Sequence, residues 1–323
     1  MTKFIEHDPE QPLELPSADG ARQCHLFAQP DIDAVNSALA ARRPLLLRGE
    51  PGVGKTQLAH AAAVALARPI VSFTVDARTE SHDLMWSFDA VRRLAEAQLC
   101  SVLAKDNPDG VADRLDERRF IQPGPLWWGF QWDKANEHLT KWLKQTPRAC
   151  PDGITTEHGC VVLIDEIDKA NTDVPNGLLE ALGSGRFQPP GCDEVVAGKA
   201  VPLVVITTNE ERMLPDAFVR RCLVHELSLP EDPDKLKDVL TRRAAAHFPE
   251  APSTLLTETA TMLVEDRKRP KPGPGLAEYL DLIRAVAELA EHRKIKLQEG
   301  DELNELIQSV RRFTLKKHSG AES

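Results

Sequence analysis

The sequence predicts an α/β fold, in which helices cover both faces of a parallel sheet, followed by a small all-α region. Apolar, β-branched runs alternate with segments of helical spacing as far as residue 229. The runs at 161–164 and 203–206 are apolar throughout, which is typical of buried parallel strands. Only helical spacing is found from Asp232 onward. Strands that alternate with helices imply a five-stranded parallel sheet, and the later segments a separate helical region.

Composition limits the possible classes of protein. The 323 residues are 41% hydrophobic and 28% charged, as in an ordinary soluble protein, and no apolar run approaches the ~20 residues of a membrane span. Residues 1–11 lack the apolar segment of a secretory signal, so we expect a cytoplasmic protein with no membrane contact. The six cysteines form no C-x-x-C pair. A net charge of -10 disfavours nucleic acid as a partner, although a local basic strip would still allow it.

Residues 49–56, Gly-Glu-Pro-Gly-Val-Gly-Lys-Thr, match the phosphate-binding pattern G-x-x-x-x-G-K-[ST] at every position. An apolar run at 44–47 precedes them and helical spacing follows, which gives the order strand, glycine-rich turn, helix. Backbone amides and Lys55 would bind phosphate oxygens, and the Thr56 hydroxyl would bind Mg²⁺. The predicted nucleotide-binding residues here are Gly49, Glu50, Pro51, Gly52, Val53, Gly54, Lys55, Thr56 and Gln57.

Two carboxylates and an amide follow the predicted buried strands. Asp165 and Glu166 come directly after the run at 161–164, and Asn209 follows the run at 203–206. Because ligands gather at the carboxyl ends of parallel strands, we expect these side chains to meet the phosphate-binding loop. Asp165 would hold Mg²⁺, Glu166 would polarise the attacking water, and Asn209 would hydrogen-bond the γ-phosphate and the water.

The predicted domains are an extended N-terminal arm at 1–30, an α/β nucleotide-binding domain at 31–229, and a helical lid at 230–323. Residues 78–158 form an insertion with an amphipathic run at 82–103, a turn at 107–110 and an aromatic stretch at 120–128. These aromatic residues form either a satellite core, which we favour, or a surface for a partner. Asp31 is predicted to cap a helix, a second helix with Asp173 as cap is predicted to stop at Gly183, and 186–199 is predicted as a hairpin or exposed loop.

Together with Arg221, these segments resemble the AAA+ ATPases, and the nearer resemblance is to the MoxR-like branch. It is carried by 163–170 (Leu-Ile-Asp-Glu-Ile-Asp-Lys-Ala), by 176–182 and by 214–221 (Leu-Pro-Asp-Ala-Phe-Val-Arg-Arg), and it covers roughly residues 31–290. The resemblance implies a three-layer P-loop NTPase core that hydrolyses ATP with Mg²⁺ in a ring, commonly of six subunits. Asn209 would be the sensor, and Arg221 would be the arginine finger that reaches a neighbour's nucleotide. Arg220 stands where the family usually has an acidic residue, so either arginine is a candidate for this role.

The resemblance also implies contacts with client proteins, through the insertion and the loop at 186–199, and a partner that bears a von Willebrand A domain. A basic residue usually opens a lid helix as second sensor; Lys271 and Arg269 are the candidates here. One alternative is a nucleic-acid-directed or defence-system NTPase motor, supported by Arg118, Arg119 and the basic segment at 267–271. Another is a nucleotide switch that serves as a scaffold without hydrolysis, against which the presence of Glu166 argues.

Overall fold

The computed structural model describes residues 2–9, 11–17, 22–103, 109–268, 273–297 and 300–315. Among the helices in these ranges, none combines the length and the apolar content that crossing a bilayer requires. The turn predicted at 107–110 lies partly outside the described residues, which resume at Asp109.

The strands in these ranges are β1 (Leu13–Leu15), β2 (Gln23–His25), β3 (Leu45–Arg48), β4 (Ile70–Thr74), β5 (Trp86–Phe88), β6 (Ile121–Pro123), β7 (Val161–Asp165), β8 (Arg186–Phe187), β9 (Val195–Val196), β10 (Leu203–Thr207) and β11 (Leu223–Glu226). The α-helices are α1 (Gln29–Ala41), α2 (Lys55–Leu66), α3 (Ala90–Leu103), α4 (Asp109–Arg114), α5 (Pro125–Phe130), α6 (Trp132–His138), α7 (Asp173–Ser184), α8 (Asp216–Val219), α9 (Pro233–His247), α10 (Ser253–Asp266), α11 (Leu276–Arg293) and α12 (Asp301–Thr314).

The chain packs as two compact units, neither of which is continuous in sequence. Unit 1 takes its residues from Met1–Glu6, Ile32–Leu47 and Ala62–His225. Unit 2 takes its residues from His7–Asp31, Arg48–Ala61 and Glu226–Ser323. The boundaries predicted at residues 30 and 229 stay predictions.

Unit 1 is built on a five-stranded sheet in the order β11-β3-β10-β7-β4. The pairs β3/β10, β10/β7 and β7/β4 are parallel. The predicted five-stranded parallel sheet is therefore confirmed. Three central strands are buried nearly throughout, which explains why they are read as continuous apolar runs rather than alternating ones.

The aromatic residues of the insertion belong to the main core of unit 1. Trp127, Trp128 and Trp132 are at most 8% exposed and pack with the central strands and with α7. These three residues are therefore packed in a core, as favoured, but the prediction of a separate satellite core is wrong, because their core is continuous with that of the sheet. The stretch also contributes β6, which pairs with β5 in antiparallel orientation.

Unit 2 contains the helices α9 to α12 and the antiparallel pair β1/β2. Asp232 caps α9, because its carboxylate accepts a hydrogen bond from the Lys235 N–H at 2.9 Å, and Pro233 occupies the first turn. The predicted helical character of the C-terminal region is confirmed.

Several predicted boundaries are wrong. The helix predicted to stop at Gly183 continues to Ser184, because a glycine inside a helix costs only about 1 kcal/mol and Gly185 (φ 63°) supplies the left-handed end. Its N-cap is Thr172 rather than the predicted Asp173. α1 begins before Asp31, whose carboxylate accepts from the Ala28 N–H at 3.0 Å from within the first turn. The loop at 186–199 contains the antiparallel pair β8/β9, as one of its two predicted forms required.

Two further segments differ from the sequence prediction. The run at 82–103 is α-helical only from Ala90, because a 3₁₀ helix at Ser81–Leu84 and then β5, which pairs with β6 far along the chain, take up its first part. The N-terminal arm carries the short strands β1 and β2, and Phe27 is buried. Strands of three residues show too little alternation to be recognised in sequence.

Candidate active site

The phosphate-binding loop belongs to unit 2 and has the backbone that its glycines allow. Gly49, Gly52 and Gly54 have φ values of 141°, 77° and 104°, a region that side chains disfavour. At Gly49 there is also no room, because a Cβ would collide with the Leu227 carbonyl oxygen. Lys55 is buried and donates hydrogen bonds to the carbonyl oxygens of Gly49 (2.7 Å) and Glu50 (2.9 Å).

Some of the neighbouring loop residues are exposed and others are buried. Thr56 is exposed in the first turn of α2, whereas Val53 is buried. Gln57, which was predicted to bind nucleotide, donates its amide N–H to the Cys24 carbonyl oxygen at 3.1 Å. A hydroxyl at a helix N-terminus beside a glycine-rich turn fits an Mg²⁺-bound nucleotide phosphate.

The start of α11 lies against this loop within unit 2. The Ala277 N–H donates to the Gly52 carbonyl oxygen at 3.2 Å, and a Cβ on Gly52 would lie 3.1 Å from a Glu278 carboxylate oxygen. The first turn of this lid helix carries an acidic residue, Glu278, and no basic one. The predicted second-sensor candidates Lys271 and Arg269 lie outside the described residues.

A basic residue that sequence reasoning did not select does reach the loop. Arg267, just after α10, donates from Nη2 to the Glu50 carboxylate at 2.9 Å and from Nη1 to the Pro274 carbonyl oxygen at 2.8 Å. Its side chain is only 19% exposed. The ion pair of Arg267 and Glu50 connects the segment that precedes α11 with the phosphate-binding loop. The two residues are far apart in sequence, so only the folded structure identifies this contact.

In unit 1, the predicted carboxylates lie where adjacent strands end. Asp165 is the last residue of β7, and Thr207 is the last residue of β10. The Thr207 hydroxyl donates to Asp165 Oδ1 and accepts from the Glu166 N–H at 3.0 Å. One fully buried hydroxyl therefore orients both acidic residues.

The backbone and both carboxylate oxygens of Glu166 make contacts that restrain the residue. Its backbone is left-handed (φ 59°), a conformation that costs a non-glycine residue about 1 kcal/mol or more and that often marks a functional site. Lys169 Nζ lies 2.5 Å from its Oε2, and Asn209 Nδ2 lies 3.4 Å from its Oε1. The hydrogen bond from Lys169 to Glu166 raises the pKa of Lys169 above its ordinary value. Unit 1 thus brings Asp165, Glu166 and Asn209 together, and their expected meeting with the phosphate-binding loop stays a prediction.

Arg220 and Arg221 lie at the opposite edge of the same sheet. They precede β11, whose first residue donates its N–H to the Pro44 carbonyl oxygen at 2.8 Å, just before β3 begins. Asp165 and Glu166 lie at the carboxyl edge, and the strands between the two edges are four or five residues long, which amounts to about 13–16 Å. Both arginine side chains are exposed.

Unit 2 thus contains a glycine-rich turn with a buried lysine, and unit 1 contains one strand that ends in paired carboxylates and a neighbouring strand that is followed by an amide. A family model described as AAA domain (dynein-related subfamily) matches residues 44–222, more than half of the chain. The chain belongs to this family. The predicted membership of the AAA+ ATPases is thus confirmed, and the family comprises P-loop NTPases that are generally ATP hydrolases.

The chain is similar in structure to two variants of RuvB from Thermotoga maritima. The first is 17% identical, with a TM-score of 0.47, over 89% of this chain and 71% of that chain. The second is 17% identical, with a TM-score of 0.44, over 87% of this chain and 65% of that chain. Among curated protein sequences, none matches this chain.

Proposed function

We propose that this chain is a MoxR-like ATPase that hydrolyses ATP with Mg²⁺ in a ring, commonly of six subunits, and thereby remodels or activates a client protein. The observation that carries the proposal is the arrangement of Glu166 and Asn209 at the ends of adjacent strands, joined by a hydrogen bond of 3.4 Å. A carboxylate held beside an amide donor suits the polarisation of a water that attacks a phosphoryl group.

The residues fit a nucleotide and its metal ion. Backbone amides of Gly52, Gly54 and Lys55 would bind phosphate oxygens, while Thr56 and Asp165 would hold Mg²⁺, which would neutralise charge on the transferred phosphoryl group. The Asp165 carboxylate, whose orientation is fixed by the hydrogen bond that it accepts from the Thr207 hydroxyl, suits a hard cation. Lys271 stays a proposed second sensor, and Arg267 is a further candidate because it already contacts the phosphate-binding loop.

Arg221 supports the shared site. The main chain of Arg221 lies at the amino edge of the sheet, about 13–16 Å along the strands from the carboxyl edge that bears Glu166, so Arg221 is better placed for a neighbouring subunit's nucleotide than for its own. Arg220, which is also exposed, is the second candidate for the finger.

The client would contact the two antiparallel strand pairs, β5/β6 of the insertion and β8/β9 of the loop at 186–199. A cleft of about 270 Å³ lies between these parts of unit 1 and is lined by Met85, Trp86 and Phe187, with Glu180 and Arg186 at polar positions. Such an apolar cleft with charged groups suits a peptide segment. A client or partner with a von Willebrand A domain is part of the same proposal.

The nucleic-acid motor receives less support. Arg118, one of its basic residues, is held by Asp116, with Nε 2.9 Å from Oδ1, and lies 3.7 Å from the centre of the Trp142 ring. Its charge is therefore compensated inside unit 1. DNA binding that weakens steeply with salt would favour the motor instead.

The test is ATPase activity per protomer as protein concentration rises, for the wild type, for Arg221→Ala and for the control Arg242→Ala. Arg242 lies on the exposed surface of α9 and pairs with Asp238. We expect activity to rise with concentration in the wild type and in the control, and to stay near zero in Arg221→Ala. An ATPase activity per protomer that depends neither on protein concentration nor on Arg221 would overturn the proposal of a shared site.

A further inference from the structure

The backbone at Arg43 is fixed by hydrogen bonds at the end of α1. The Arg42 N–H bonds to the Leu39 carbonyl oxygen (3.4 Å) and the Arg43 N–H bonds to the Ala38 carbonyl oxygen (3.1 Å), which together form a Schellman motif. Arg42 occupies the left-handed position of this motif (φ 52°), which glycine usually takes. The Arg43 side chain therefore leaves the chain in a defined direction, immediately before β3.

Its guanidinium binds the backbone that carries the two finger candidates. Nε donates to the Arg221 carbonyl oxygen at 3.0 Å, and Nη2 donates to the Arg220 carbonyl oxygen and, at 3.4 Å, to that of Cys222. These carbonyl groups belong to the three residues that directly follow the short helix α8. A planar guanidinium can reach several carbonyl oxygens at once, which an ammonium group cannot do in the same geometry.

The contact leaves the two finger side chains available. The Arg43 guanidinium donates its hydrogen bonds here to main-chain carbonyl oxygens, and the side chains of Arg220 and Arg221 are exposed. Buried Phe218 anchors the other side of the segment in the core. The segment is thus fixed by its backbone and by one apolar side chain, and the guanidinium groups that follow are presented outward.

We propose that Arg43 is the positioning residue for the arginine finger: it fixes the main chain at 220–222 so that Arg221 or Arg220 reaches the nucleotide of the neighbouring subunit. This inference rests on the proposed function, because it needs a site that two subunits share. Arg43 touches no reacting atom. A displacement of about 1 Å can lower a rate about a hundredfold, so loss of this clamp reduces turnover although both finger arginines are still present.

The experiment mixes subunits. Arg43→Met removes the donors and keeps the length of the stem, so its own catalytic carboxylates are intact and its finger is misplaced. Glu166→Gln has the opposite defect, with a correct finger and an inactive site. We expect each variant alone to turn over ATP at least about tenfold more slowly than the wild type, with ATP affinity kept. An equal mixture should recover about a quarter of the wild-type rate, the share of interfaces that pair a correct finger with an intact site when subunits of a ring mix at random.

Three controls make the outcome specific. Arg42→Gln removes an exposed charge one residue away and should keep wild-type turnover. Arg43→Lys keeps the charge and the stem, should fold even if Arg43→Met does not, and should give an intermediate rate that the mixture also raises. Arg221→Ala mixed with Glu166→Gln tests the shared site by itself.

The outcomes separate the two proposals. Rescue of Arg221→Ala together with wild-type turnover of Arg43→Met and Arg43→Lys would overturn the role of Arg43. The same holds if Arg221→Ala is rescued and neither slow Arg43 variant is, because the defect would then lie in the variant's own site or fold. Failure to rescue Arg221→Ala would overturn the shared site, and the positioning role with it.

Discussion

Lys169 Nζ lies 2.5 Å from Glu166 Oε2, three residues apart on the turn that follows β7. The second oxygen of Glu166 faces the Asn209 amide at 3.4 Å, so both carboxylate oxygens are engaged. A general base must present an oxygen to the attacking water, and the Lys169 ammonium group already occupies one oxygen of this carboxylate. The ion pair therefore restrains the residue proposed to polarise the attacking water.

We predict that Lys169→Met raises turnover at saturating ATP. The effect is small, because both side chains are partly exposed (41% and 30%) and exposed ion pairs contribute about 0.2–1 kcal/mol, which corresponds to at most about fivefold in rate. Steady-state ATPase kinetics would measure it, with the KM for ATP unchanged. Lys134→Met is the matched control, because Lys134 forms the same i,i+3 pair with Glu137 (3.0 Å) on α6 and should have no effect. A tenfold loss of turnover would instead assign Lys169 a direct part in catalysis.

Glu166→Gln should bind ATP and hydrolyse it about a hundredfold or more slowly, because the amide cannot accept the proton. The variant keeps the length of the side chain, and the main-chain bond from the Glu166 N–H to Thr207 does not depend on the side chain. Single-turnover kinetics and equilibrium ATP binding separate the two properties. Asp168→Asn, in the same turn, tests whether loss of any nearby carboxylate suffices. Unchanged turnover in Glu166→Gln would mean that the catalytic carboxylate lies elsewhere.

The sequence predicts the sheet and the main site residues because each depends on local pattern. Apolar runs locate β7 and β10, and Glu166 follows directly from the end of its strand. Thr207 and Arg43 escape such reasoning because their roles depend on packing: Arg43 reaches a carbonyl oxygen 177 residues away, and Thr207 reaches the end of the neighbouring strand. Helix ends were missed for a related reason, since Gly183 is tolerated inside α7 and only Gly185 takes the left-handed backbone.

Arg267 and Glu50 offer a prediction about the lid. Their side chains meet at 2.9 Å, and Glu50 is 40% exposed, so we expect a coupling of about 1 kcal/mol or less in a double-mutant cycle of unfolding with Arg267→Gln and Glu50→Gln. If Arg267 serves as the lid cation, Arg267→Gln should also weaken ATP binding several-fold, whereas Glu50→Gln should not, because only the cation attracts phosphate. Isothermal titration with ATP measures both variants. Equal losses of ATP affinity in the two variants would mean that the ion pair has only a structural role.

Two buried histidines in unit 2 predict how stability depends on pH. Burial lowers the pKa of His25 to about 4, with Arg243 adding to the effect, and burial lowers the pKa of His247 to about 4, with Arg284 and Arg243 adding to it. The carboxylate of Asp31 acts on His25 in the opposite direction, and its effect is smaller. Both rings are therefore neutral in the folded chain well below the pH at which they protonate in the unfolded chain, near 6.5.

A folded-state pKa below the unfolded value means that the stabilisation is present above about pH 6.5 and is lost as the pH falls toward 4. Each histidine contributes a slope of up to about 1.4 kcal/mol per pH unit in this window. Urea unfolding at pH 7.5, 6 and 5 measures the slope in the wild type, in His25→Gln and in His247→Gln. Each variant should be less stable at pH 7.5 but flatter with pH, whereas the exposed control His292→Gln should keep the wild-type slope. A wild-type slope in either buried variant would mean that folding does not lower the pKa of that ring, since only a group whose pKa differs between the two states contributes to the dependence.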